Sequence, residues 1–221
     1  DLREAGHKVK SERLEIGMTG PDGEPLCIDV AVVGSLESGK VLLSSSGIHG
    51  VEGYPGSAIQ LAIMDDLCKE EVFKDHAVIL IHTINPYGMA WWRRFNENNV
   101  DLNRNFLTSK QDYSGVPVGY EKIREFINPE SPPPKKEKWF NLKALNLIRK
   151  YGFSNLKQWV AEGQYEYPKA IQYGGDCLQP GPDLLLNWLD KILADVKQVW
   201  AIDLHTGLGP VSYTHLRAHE T

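Results

Sequence analysis

Cysteine is scarce and scattered: Cys27, Cys68 and Cys177 are too far apart to imply a disulfide framework, which points to a reducing, cytoplasmic setting. No apolar run approaches the roughly 18 residues of a membrane span. No signal-like apolar stretch follows Asp1-Leu2-Arg3-Glu4, and a membrane is not expected as a partner. A basic stripe is missing too. The net charge is −5, and the densest basic cluster, Lys135, Lys136 and Lys138, is interrupted by Glu137, so nucleic acid is not expected either. Internal repeats are absent. The 221 residues, 42% hydrophobic and 24% charged, suit one α/β domain or part of a larger one.

Strand patterns run over 26–33 and 40–45, with Pro21-Asp22-Gly23 as the turn before them. An apolar helix pattern over 57–69 follows. His76 opens a continuous β-branched run to 84, the mark of a strand covered on both faces. Strand, helix and strand in this order predict a βαβ unit. The strand pattern returns only at 198–204. Between lie about 90 residues of less sheet-like sequence: a proline loop over 128–138, helical stretches over 139–160 broken near Gly152, and a strong helix over 183–196.

In Ser46-Gly47-Ile48-His49-Gly50-Val51-Glu52-Gly53, a histidine and a carboxylate stand three residues apart on a strand-to-helix turn. That spacing lets both face one metal ion, and the glycines leave room beside them. Alone, the pair also reads as a capping or polar turn. His205, in Asp203-Leu204-His205-Thr206-Gly207, ends another predicted strand, as His49 does. Strand ends line one edge of a parallel sheet, so the two sites can converge. Two histidines and a glutamate leave zinc a fourth position for water, whose proton the metal loosens. Asp203 shares the strand face of His205 and is a candidate to support it. His82 and the pair Trp91 and Trp92 read as packing residues, although one tryptophan beside Arg94 could wall a pocket.

Four pieces occur in order: HxxE at His49 and Glu52, NPYG from Asn85, RFNENNVDLNRNF from Arg94, and the strand-end histidine His205. Together they resemble the zinc carboxypeptidase superfamily. GxHGxEG, NPYG and DLHTGLGP set the chain apart from the digestive enzymes and nearer the succinylglutamate desuccinylase/aspartoacylase group. The resemblance implies an α/β fold, a mixed, mostly parallel twisted sheet flanked by helices. It implies one zinc ion on His49, Glu52 and His205, with Arg94 stabilising an oxyanion. Asn103 and Arg104 would hold a substrate carboxylate, and Asp101 would orient the first zinc histidine. The implied activity is hydrolysis of an amide bond next to a free carboxylate, on a peptide C-terminus or, alternatively, on an N-acyl amino acid.

The family's general-base glutamate lies well downstream of the third ligand. Only Glu220 follows His205 here, in surroundings unlike the family's motif, and it receives no role. The resemblance stops at Pro210. Residues 1–210 are therefore expected to be a catalytic domain incomplete at its C-terminus, and 211–221 a non-native tail. A zinc- or carboxylate-binding protein without turnover is the third expectation. No oligomeric state follows from the sequence.

Overall fold

The computed structural model describes residues 2–69, 76–129 and 139–206. The proline loop from 130 onward, the expected tail, and Glu220 lie outside these. The chain forms two compact units, one made of the residues up to 98 with those from 179 onward, the other of residues 99–178.

The first unit is built on a five-stranded sheet: β1 Val9–Thr19, β2 Pro25–Val33, β3 Lys40–Ser46, β4 Ala77–His82 and β5 Gln198–Leu204. The strand order is β1-β2-β4-β3-β5. Parallel pairing is confined to β4-β3-β5, while β1 and β2 form an antiparallel hairpin and β2 also runs antiparallel to β4. The mixed sheet is as expected; its antiparallel flank owes most to β1, which the sequence pattern did not reveal. β1 is an edge strand in which Arg13 and Glu15 line the exposed face and Lys10 and Glu12 precede the apolar positions Leu14, Ile16 and Met18 on the other. Such charges protect an edge from pairing with other chains, and they hide it from a hydrophobicity pattern. Its register with β2 is irregular between Glu15 and Thr19, where Gly17 takes a φ of 75°.

β4 lies at the centre of the sheet, and Val78, Ile79, Leu80 and Ile81 are buried. Each such side chain stabilises the fold by about 1.5–3 kcal/mol relative to exposure. Helix α1, Gly53–Lys69, packs on β3 and β4. Gly56 is required there, because a Cβ would sit 2.5 Å from that of Ser46. The fully buried Gln60 donates to the Ser44 and Ile81 carbonyls at 3.0 and 3.1 Å, tying α1 to both strands. After β4 comes the short helix α2, Pro86–Ala90.

The second unit carries α3 Val118–Ile127, α4 Phe140–Tyr151 and α5 Phe153–Ala161. Gly152, with φ 80°, separates α4 from α5 where the sequence placed the break. Tyr120 and Ile123 form the buried face of α3, and the Tyr120 hydroxyl donates to the Ile171 carbonyl at 2.8 Å. The last helix, α6 Pro180–Ile192, belongs to the first unit and buries Leu185 and Trp188 on the β1 side. It begins three residues earlier than its apolar pattern, because prolines are tolerated in a first helical turn.

Candidate metal centre

The centre is assembled by strand register. β3 and β5 are parallel neighbours, with Ser46 opposite Leu204, so the residues after both strands emerge side by side at one sheet edge. After Ser46 the chain turns sharply at Gly47, whose φ is 69° and whose Cβ would collide with Thr83 Oγ1. His49 then stands in extended backbone and caps a single 3-10 turn, Gly50–Glu52. The turn closes through Glu52 N–H donating to the His49 carbonyl at 2.8 Å. One turn of helix therefore brings the two side chains to the same side, with His49 Nδ1 3.1 Å from Glu52 Oε1.

His205 arrives from β5, its Nδ1 3.3 Å from Glu52 Oε2. The Thr206 N–H donates to the same oxygen at 2.9 Å. The ligand atoms of His49, Glu52 and His205 all lie within 4.8 Å of one another. Tetrahedral zinc with ligands at about 2.0–2.1 Å needs donor atoms roughly 3.3 Å apart. The two histidine–glutamate separations match that value, so the donor set fits the ion.

Asp203 meets its expectation as a support. Ser45 lies opposite it in the register and donates to Asp203 Oδ1 at 2.7 Å. Asp203 Oδ2 lies 2.6 Å from His205 Nε2. Each side of the His205 ring thus faces a carboxylate. The hydrogen bond to Asp203, with that to Glu52, pushes the His205 pKa up to about 9 against the opposing effect of burial. For Glu52, burial would raise the pKa, but hydrogen bonds from His205, His49 and the Thr206 N–H outweigh it and hold the carboxyl well below the usual range.

Arg94 leans on the same cluster. Its Nη2 lies 2.7 Å from His49 Nε2 and its Nη1 3.7 Å from Glu52 Oε1. The NPYG segment explains how it is held. Asn85 caps α2 by accepting from the Gly88 N–H at 2.8 Å, and Pro86 takes the first helical position. Gly50 N–H and Val51 N–H donate to the Arg94 and Arg93 carbonyls, each at 3.2 Å. Asn85 Nδ2 also donates to the Arg94 carbonyl at 3.2 Å. NPYG is thus a capped turn that presses the arginine segment onto the metal turn, a role the sequence did not disclose.

Asp101, Asn103 and Arg104 belong to the second unit. Asp101 is fully buried, accepts from the Asn103 N–H at 3.1 Å and pairs with Arg104 Nη1 at 2.7 Å. Arg104 Nη2 donates to the Ala161 carbonyl at 2.6 Å. The Arg104 guanidinium is therefore partly committed to its own unit, whereas the exposed Asn103 amide makes no hydrogen bond among the described residues.

His82 is indeed hydrogen-bonded within the sheet, its Nδ1 2.8 Å from Ser46 Oγ, and burial lowers its pKa. Trp91 is 44% exposed rather than packed away, and its indole N–H donates to the Thr19 carbonyl at 3.2 Å. Trp92 does not pack. It is 73% exposed.

A mixed α/β sheet with two histidines and a glutamate converging at its strand ends defines a candidate metal-centre protein. The chain belongs to the family described as "Protein of unknown function (DUF2817)", whose model matches residues 2–219. No curated protein matches it. Among solved structures it is similar to a provisionally assigned succinylglutamate desuccinylase/aspartoacylase from Shewanella frigidimarina NCIMB 400. That match has 19% identity and a TM-score of 0.45, over 91% of this chain and 47% of the other. It is also similar to a carboxypeptidase A from Helicoverpa armigera, at 13% identity and a TM-score of 0.44, over 93% and 44% of the two chains. The chain spans less than half the length of these two relatives. Among the described residues, no helix is long and apolar enough to cross a membrane.

Proposed function

We infer that this chain carries the zinc centre of a hydrolase acting on an amide bond next to a free carboxylate, with N-acyl amino acids as the preferred substrate class. The observation that carries this is the clustering of His49, Glu52 and His205, whose ligand atoms all lie within 4.8 Å of one another. When bound there, zinc supplies Lewis acidity and makes a water more acidic.

The chain's own residues would hold the ion and face the substrate. Glu52 neutralises one positive charge of the ion, and its low pKa keeps it ionised over the whole working range. Asp203 fixes the His205 ring and accepts from its Nε2–H, the usual partner of a metal-ligating histidine. Arg94, with a side chain 37% exposed beside the ligands, is placed to donate to an oxyanion. Within the second unit, the Asn103 side-chain amide and the Arg104 donors left over from Asp101 and Ala161 are of the kind that holds a carboxylate.

Deacylation is favoured over peptide trimming because the motifs around His49 and His205 differ from those of the digestive enzymes. Carboxypeptidase action on a peptide C-terminus is the second reading. Zinc binding without turnover is the third: Glu52 is a ligand and Asp203 is engaged with His205, so neither is a free base for water. A reducing, cytoplasmic setting accompanies all three.

The test is to load residues 1–221 with zinc and measure acyl release from N-acyl amino acids beside amino-acid release from peptides. Acyl release alone supports deacylation. Amino-acid release alone selects the peptidase. Stoichiometric zinc with neither product leaves the binding protein.

A further inference from the structure

Trp91 and Trp92 are adjacent and both exposed, at 44% and 73%, but only one is tethered. Trp91 is anchored by its indole N–H. Trp92 is 73% exposed, its indole N–H meets no acceptor among the described residues, and its backbone sits at φ 56°. A bulky side chain in the left-handed region is strained, and strain of this kind gathers at functional positions. Nothing about stability asks for a tryptophan there. A glycine would hold the same backbone without strain.

The only aromatic partner of Trp92 among the described residues is Tyr54, itself 41% exposed, stacked with ring centroids 4.7 Å apart and planes 16° from parallel. Both rings flank the metal cluster in the chain. Tyr54 lies two residues after Glu52, and Trp92 two residues before Arg94. Two residues span at most about 7 Å, so each ring springs from backbone within that distance of a cluster residue. The Arg93 and Arg94 carbonyls, bonded to Val51 and Gly50, hold the two stretches together. An exposed, face-to-face aromatic pair a short stretch of backbone from Glu52 and Arg94 offers a stacking surface. Ring against ring is the geometry it already displays.

We propose that Trp92, backed by Tyr54, is a stacking platform for an aromatic ring carried by the anionic substrate of the metal centre. This rests on the functional reading above and adds a substrate class to it: acyl amino acids bearing a flat ring. The platform distinguishes substrates by the ring, while the metal ligands and Arg94 act on the amide.

The experiment measures calorimetric dissociation constants of the zinc-loaded chain for N-benzoylglycine, N-acetylphenylalanine and N-acetylglycine, with hydrolysis followed in parallel. A ring should tighten binding roughly two- to tenfold, the range of an aromatic pair. The two ring probes show on which side of the amide the ring lies. In Trp92→Gly the preference should vanish with the thermal midpoint unchanged or raised, whereas Trp92→Phe should keep it. Equal binding of the three probes, no binding of any, or a ring preference surviving in Trp92→Gly would overturn the platform. Ring-dependent binding without hydrolysis would leave the platform standing and remove the hydrolase reading.

Discussion

Glu52 and Asp101 are both buried carboxylates on short 3-10 turns, and each faces cations, yet the fold uses them differently. Asp101 caps its own turn and pairs with Arg104, a group that never gives up its proton. Glu52 divides its oxygens between two imidazoles, which can. The first pair holds a permanent charge and has no proton to give up. The second can exchange its protons for a metal ion. The identity of the cationic partner, more than burial or distance, decides which of the two carboxylates can take a metal.

The largest effect should come from removing a ligand. His205→Ala should abolish zinc retention, with a loss beyond the ~100-fold that orienting residues produce; metal content after dialysis measures it. Retained stoichiometric zinc would erase the distinction between the two carboxylates. Next, Asp101→Ala should act on stability. It strips Arg104 of its partner and the turn of its cap, lowering unfolding free energy by about 3 kcal/mol in denaturant titrations. A smaller change should follow Asp203→Asn. Zinc affinity should fall roughly 10- to 100-fold, and the His205 pKa of the metal-free protein should drop from about 9 toward its ordinary value, visible by NMR titration.

The smallest effect is the pH response, and its sign differs with and without metal. His205 has a folded pKa raised to about 9. Its contribution to the metal-free protein is present below about pH 6.5 and lost as pH rises toward 9. Glu52 has a depressed folded pKa, so its contribution is present above about pH 4.5 and lost as pH falls further. The cluster should therefore stabilise the metal-free chain most between those limits. Zinc must displace the His205 proton, so the thermal shift produced by zinc should grow with pH up to about 9. A zinc shift flat across that range would show that His205 is not a ligand.

Much of this was legible in the sequence, for identifiable reasons. β4 announced itself because a strand covered on both faces is apolar throughout, and the break at Gly152 because only glycine sits easily at φ 80°. The cluster of His49, Glu52 and His205 was readable because both histidines come just after strands that end at one sheet edge. β1 and α3 were missed, since a charged edge strand and a helix with only three buried residues leave faint periodicity. The roles of Asn85 and Gly88 escaped because they serve backbone groups distant in sequence. Trp92 was taken for a packing residue, and no pattern of residue types shows that a tryptophan points outward.

β5 is hydrogen-bonded to β3 alone among the described residues, so His205 rides on the sheet's outer strand. An ion shared by His49 and His205 would then tie together two points 156 residues apart in sequence. Closing so long a loop restricts the unfolded chain far more than the folded one. Zinc would act as a thermodynamic fastener between β3 and β5, and the hold on β5 would be set by metal supply.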